Sequence, residues 1–293
     1  MRVAIVGLGG VGAYLAANFT KSGIDVVGFA RAKHLEAIQK ESLTIIEDTT
    51  QYKVKLNAVD LNAANGYFDV VIFCVKSYDL KDAYQKIQKN IDKNSILLSF
   101  SNGINNGDTL KKLSDSIVVD ACIYILSHIE KAGVIRKKGK VFAAVFGSDN
   151  QNAVKVIENL FQKANLRYKI AENIRTALWK KYIFIAAFAT LTSYYDKSIG
   201  YIYEHHYKEA ENLLKEIAKF AKENEGVDIY DEVQKALETA AKVPYDSSTS
   251  MHLDFKNNKN AELDTLSGYV KTPLMSNYFK ELKSRRKNTK VHI

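Results

Sequence analysis

The chain has 293 residues, 46% of them hydrophobic and 26% charged, enough for two ordinary domains because single cores stop growing near ~250 to 300 residues. No apolar run approaches the ~20 residues of a membrane span, and the strand-like start at Val3 leaves no charged and apolar leader, so a cytoplasmic protein without membrane association is expected. The net charge of +9 favours an anionic partner without choosing among nucleic acid, a membrane surface and a phosphorylated small molecule.

The first half alternates β-branched runs with helical stretches, the texture of a doubly wound α/β domain. Val3 to Val6, Asp25 to Phe29, Val70 to Val75, Ile96 to Phe100 and Ile117 to Tyr124 are near-continuous apolar runs, as strands covered on both faces require, so the sheet is read as mostly parallel. Leu43 to Ile46 and Tyr52 to Leu56 read as a hairpin appended to that sheet. Val134 to Arg136 and Val141 to Phe146, parted by a Lys/Gly turn, read as a second hairpin. Cys74 and Cys122 fall inside strand-like runs and read as buried free thiols of a reducing compartment.

From about Ala171 the strand-like runs cease, and helical patterns cover Asn173 to Tyr195, Tyr203 to Asn224 and Asp228 to Lys242. The first can run unbroken, since no proline precedes Pro244. The chain therefore divides into residues 1–170 and residues 171–293, the latter all-helical. The densest basic run, Lys283, Arg285, Arg286, Lys287 and Lys290, reads as a solvated, frayed helix end. No recognised nucleic-acid motif accompanies the basic balance, and no metal is assigned.

Gly7-Leu8-Gly9-Gly10-Val11-Gly12 follows the first strand and opens a helix continuing Ala13-Tyr14-Leu15, the context that a dinucleotide fingerprint demands. The first glycine permits the tight turn, the second lets backbone approach a pyrophosphate, and the third lets helix and strand pack closely. The fold class expected is thus an N-terminal Rossmann-type doubly wound parallel sheet followed by an all-helical C-terminal domain. Where NAD-preferring domains place an acid on the adenosine ribose, this chain reads Gly28-Phe29-Ala30-Arg31. Arg31 suits the 2′-phosphate of NADP; the alternative is a solvated arginine in a βα loop. Lys33 is a weaker second cation.

Together with that fingerprint and Arg31, the segments Val75-Lys76-Ser77, Ser101-Asn102-Gly103, Asn173-Ile174-Arg175, Leu178-Trp179-Lys180-Lys181, Ser250-Met251 with Asp254, and Glu262-Leu263-Asp264 make the chain resemble the ketopantoate reductase family over essentially its whole length. The resemblance implies reduction of a 2-oxo acid, 2-dehydropantoate foremost, by NADPH, as a step of pantothenate biosynthesis. It implies Lys181 as the general acid with Glu262 as its carboxylate partner. Lys76 and Asn102 would serve the nicotinamide end, with Asn102, Ser250 and Asp254 meeting the substrate. Hydride arriving at a ketone carbon leaves negative charge on oxygen, and a lysine ammonium supplies both charge and proton. Beside the apolar Tyr182 to Leu191 stretch that ammonium would lose hydration unless a carboxylate compensated, and Glu262 is the candidate. Solvated-face readings of Lys76, Lys181 and Glu262, and a loop cap at Asn102, remain open.

The chain departs from the family pattern on the catalytic helix, where Ile185 and Ala189 replace the asparagines that usually hold the substrate's hydroxyl end. Ile199 and Ser247 replace a third and a fourth family asparagine. A more apolar 2-oxo acid is therefore an alternative substrate, and a non-catalytic NADP-binding protein is an alternative of another class. A homodimer is left open.

Overall fold

The computed structural model describes the backbone through residue 290 and side chains through residue 286. Two compact units emerge, one made of residues 1–101 and 105–174, the other of residues 102–104 and 175–293.

The first unit runs β1 (Arg2–Val6), α1 (Gly10–Lys21), β2 (Asp25–Phe29), α2 (Ala32–Glu41), β3 (Leu43–Glu47), β4 (Thr50–Val54), β5 (Asn57–Val59), β6 (Val70–Phe73), α3 (Leu80–Ile87), β7 (Ile96–Ser99), α4 (Asn106–Leu113), β8 (Ile117–Val118), β9 (Asp120–Lys131), β10 (Val134–Gly147), α5 (Gln151–Lys163) and β11 (Tyr168–Ile170). A six-stranded sheet has the order β5-β2-β1-β6-β7-β8, every pair parallel. Alternate residues of β1 enter different cores: Val3 and Ile5 pack with α1 and α5, Ala4 and Val6 with α3 and Leu110 of α4. Both faces are therefore covered, which is why these strands read as continuous apolar runs.

A second sheet, ordered β11-β10-β3-β4 with β9 paired to β10, corrects three expectations. β3 and β4 do form an antiparallel hairpin, but β3 joins β10 in the second sheet rather than the parallel one. The run from Ile117 to Tyr124 is not one strand: β8 ends in the parallel sheet, and β9 begins at Asp120 in the other. Val134 to Phe146 is one long strand pairing with β9, with the turn at Gly133 (φ +74°). The Lys138-Gly139-Lys140 stretch is a register irregularity within that ladder. Apolar periodicity marks a strand without naming its partner, so all three errors concern pairing. The short strands β5 and β11 carried too few residues for a periodic signal.

α1 is buried on nearly every side, between the two sheets, and its approach to β1 depends on Gly12. A Cβ there would stand 2.0 Å from the Gly7 carbonyl oxygen, a backbone atom that cannot swing away. Gly12→Ala is expected to cost about 1–3 kcal/mol in denaturant-monitored unfolding, the usual range for overpacking. An unchanged midpoint would show that helix and strand can part more easily than this geometry implies.

The second unit is helical: α6 (Ile174–Tyr195), α7 (Ile199–His205), α8 (Tyr207–Glu225), α9 (Asp231–Lys242), α10 (Ser250–Lys256), α11 (Leu263–Leu266) and α12 (Pro273–Lys290). The stretch expected as one helix from Tyr203 is broken at His206, whose backbone (φ −130°, ψ 28°) leaves the helical region. Its ring stacks on Tyr195 at 3.8 Å and its Nδ1 lies 3.2 Å from Glu209 Oε2. Neither glycine nor proline marks that break. The basic run lies on α12, where Lys283 bonds Asp264 at 3.0 Å and Arg285 bonds Glu281 at 2.6 Å, while Arg286 reaches Asn260. The side chains of Lys287 and Lys290 lie outside the described residues. Among the described residues no helix is long and apolar enough to cross a membrane.

Candidate active site

In the first unit, Gly7 turns the chain at φ +98°, and the N–H groups of Gly7 and Leu8 both donate to Phe29 O, at 3.1 and 3.0 Å. The turn is thereby tied to the end of β2. α1 begins with Gly9 as an N-cap lacking a side-chain bond, and its first turn holds no acid. Its leading N–H groups have no intrahelical acceptor, and the helix dipole makes this end attract anions. Space beside it is selective. A Cβ on Gly10 would meet Ser127 O at 2.3 Å, whereas one on Gly9 would have nothing within 4 Å. An uncapped helix start with open space at the second glycine is a shape that fits a pyrophosphate.

Arg31 N-caps α2 just after β2 and is 78% exposed; its Nη2 donates to Asp79 Oδ2 at 3.0 Å. Lys33 is exposed, and Lys76 is half-buried where a short 3-10 turn, Ser77–Asp79, follows β6. Arg31 and the Lys76 segment thus meet at the carboxyl ends of strands flanking β1, where open α/β sheets bind ligands.

The helical unit holds a polar group of its own. Lys181 Nζ donates to Asn102 Oδ1 at 3.1 Å, and Asn102 Nδ2 donates to Glu262 Oε2 at 3.4 Å. One orientation of the Asn102 amide serves both, its oxygen toward the ammonium and its nitrogen toward the carboxylate. Glu262 is only 3% exposed, so its carboxylate oxygens need such hydrogen-bond donors. Because α6 is continuous, Lys181, Ile185 and Ala189 share one face; Lys180 points elsewhere, to Glu232 at 3.1 Å. Ala189 and Ile199 are buried and Ile185 half-buried. Ser250 is exposed in the first turn of α10, behind the N-cap Thr249, with Asp254 half-buried one turn later.

Sequence reasoning quoted Arg175 and Trp179 without giving them a task. Arg175 donates through Nη1 to Ile104 O at 3.0 Å, through Nη2 to Tyr269 Oη at 3.2 Å, and through Nε to Glu225. Glu225 also accepts from Trp179 Nε1 at 3.0 Å and Tyr269 Oη at 2.7 Å. Burial would raise the Glu225 carboxyl, yet these donors hold it below the usual carboxylate range. Burial and that carboxylate push the Tyr269 hydroxyl up to about 12. Arg175 and Trp179 are one helical turn apart, but the Glu225 that both bond lies 50 and 46 positions on, too far for any local spacing to disclose. Nothing in the sequence pointed to Asp79 as the partner of Arg31.

Comparison with known proteins matches residues 3–151 to the family described as ketopantoate reductase PanE/ApbA and residues 173–272 to its C-terminal domain. A relative in Bacillus subtilis, named as the uncharacterized oxidoreductase YkpB, is 27% identical across 92% of this chain and 91% of its own. The crystal structure of a PanE/ApbA family ketopantoate reductase from Ralstonia eutropha superposes with a TM-score of 0.90 at 26% identity, covering 99% of this chain and all of the other. The ternary structure of a D-mandelate dehydrogenase with NADH and anilino(oxo)acetate reaches a TM-score of 0.90 at 19% identity over 98% and 99% of the two chains, a likeness of fold. With the N-terminal match alone spanning more than half of the residues, the chain belongs to the ketopantoate reductase family of oxidoreductases, which act on 2-oxo acids with a nicotinamide cofactor.

Proposed function

We propose that the protein reduces a 2-oxo acid to the 2-hydroxy acid with NADPH, ketopantoate being the first substrate to consider. The observation that carries this reading is the Lys181–Asn102–Glu262 group. Bound NADPH would supply the hydride that the carbonyl carbon accepts. Lys181 Nζ gives its proton to the carbonyl oxygen as charge builds there, and its positive charge stabilises that oxygen beforehand. Asn102 Oδ1 orients the ammonium, and the Glu262 carboxylate offsets the cost of keeping a cation beside apolar α6. Water reprotonates the amine after the hydroxy acid leaves. Ser250 takes the substrate carboxylate.

The cofactor reading rests on the open space at Gly9 and the uncapped start of α1. Backbone N–H groups there take the pyrophosphate, Arg31 takes the 2′-phosphate, and Lys76 and Asn102 serve the nicotinamide end. Gly9→Ala should leave unfolding within about 0.5 kcal/mol of the parent, since nothing crowds the added methyl. It should nevertheless weaken NADPH binding in a fluorescence titration. Undiminished affinity would move the pyrophosphate elsewhere.

The substrate's tail is read from α6. Ile185 lies one turn past Lys181, about 6 Å along the axis, and Ser193, whose buried hydroxyl has no partner, lies about 18 Å along it. A tail of a few bonds from a carbonyl held by Lys181 meets Ile185 and does not reach Ser193. An apolar wall there leaves a distal hydroxyl desolvated and unpaired, costing about 1–3 kcal/mol. This favours the second reading, a deoxy or branched aliphatic 2-oxo acid as the better substrate. Steady-state NADPH consumption against matched 2-oxo acids decides it. For the deoxy acid, kcat/KM should equal or exceed that for ketopantoate, and Ile185→Asn should shift preference back toward ketopantoate. Strong selectivity of the parent enzyme for ketopantoate would refute the apolar wall and leave the reductase reading standing.

A further inference from the structure

The Arg175 network is a second polar cluster of the helical unit, and the chemistry above leaves it without a task. Its contact with Ile104 O is the informative one. Asn102–Ile104 has neither strand nor helix bonds to hold it, and Gly103 at φ +123° occupies backbone space that costs other residues dearly. What such a segment presents depends on what grips it. Ile104, 1% exposed, has a buried carbonyl that needs a donor, and Arg175 Nη1 supplies it two residues from the amide that faces Lys181.

We propose that Arg175, held by Glu225, is a positioning residue: by gripping Ile104 O it fixes the Asn102 segment, and through Asn102 the direction of Lys181 Nζ. The residue types suit this task. A guanidinium is a rigid fork that can bond Glu225, Tyr269 and Ile104 O at once, which a lysine cannot. Glu225 is prevented from turning away by its further bonds from Trp179 and Tyr269. Four parts of the unit, α6, the end of α8, the Tyr269 segment and residues 102–104, thus converge on one cation. The consequence reaches the reacting lysine because a small displacement of an orienting group is enough to slow a chemical step.

The inference rests on Lys181 being the proton donor, and the test keeps the two apart. Glu225→Gln is nearly isosteric and removes the charge that anchors Arg175. It should lower kcat about tenfold while KM for the 2-oxo acid and Kd for NADPH stay within about twofold. In a double-mutant cycle, adding Glu225→Gln to Asn102→Ala should slow that variant by less than about twofold further, because the two act through one contact. In the ligand-free protein carrying isotope-labelled lysine, the Lys181 Cε signal and its titration midpoint should move in Glu225→Gln. A merely structural brace would lower the unfolding temperature but leave that signal in place. An unchanged kcat, losses that multiply across the cycle, or an unmoved Lys181 signal would each overturn the proposal. Should Glu225→Gln fail to fold, Tyr269→Phe removes one hydroxyl from the same network and takes its place in all three measurements. If Lys181→Ala proves fully active, the proton-donor reading fails instead, while the Lys181 signal still reports whether Arg175 sets its surroundings.

Discussion

Lys181→Ala is expected to lower kcat by roughly 10²- to 10⁴-fold, the range for loss of a positioned general acid, with Kd for NADPH nearly unchanged. The expectation follows from where the lysine stands. It is half-buried on α6, its ammonium directed at Asn102 Oδ1, and the buried carboxylate of Glu262 lies on the other side of that amide. Removing the amine takes away a proton and a charge that matter most as the oxygen becomes negative, so the loss falls on kcat and not on ground-state binding. Lys180→Ala is the internal control. That side chain is exposed and paired with Glu232, an interaction worth little at a surface, and its loss should change kcat by less than about twofold. Equal activities for the two variants would remove Lys181 from the chemistry.

Arg31→Ala should abolish most of the preference for NADPH over NADH. A guanidinium beside a ribose phosphate makes charge-assisted bonds that NADH cannot supply, a difference of about ten- to a hundredfold in affinity. The low end is expected here, because Arg31 is 78% exposed and already bonded to Asp79, so solvent screens it and the phosphate must compete with a carboxylate. NADPH affinity should therefore fall about tenfold in Arg31→Ala while NADH affinity stays put. Asp79→Asn, which loosens the competitor, should move NADPH affinity the other way. Calorimetric titration of both cofactors against the three proteins measures this. Equal affinity for NADPH and NADH in the parent would show that the arginine faces solvent.

The parallel sheet was legible because its physical signature is local. In β2, Val26 faces one core and Val27 and Phe29 the other, so after the exposed Asp25 the strand reads as one apolar run with matching bounds. The glycine fingerprint was legible for a similar reason at Gly12, whose constraint comes from Gly7 O within the same turn. The second sheet was not. Whether Ile117 to Tyr124 is one strand or two depends on which neighbours take its hydrogen bonds, and those neighbours, Ile96–Leu97 on one side and β10 on the other, leave no trace in the run itself. The polar groups of the helical unit were further still from view. Asn102 lies 79 positions from Lys181 and 160 from Glu262, so only a family resemblance could put the three names together. No resemblance named Glu225 or Asp79 as partners.

The central claim, that this protein uses NADPH to reduce a 2-oxo acid through Lys181, is tested most directly by stoichiometry. NADPH consumed and 2-hydroxy acid formed are quantified in the same reaction, with ketopantoate and its deoxy analogue as substrates, for the parent protein and Lys181→Ala. One hydroxy acid per NADPH is expected from the parent with at least one of the two acids, and slow but equally coupled turnover from the variant. A parent protein that binds NADPH yet forms no hydroxy acid from either, or a variant that matches the parent's rate, would contradict it.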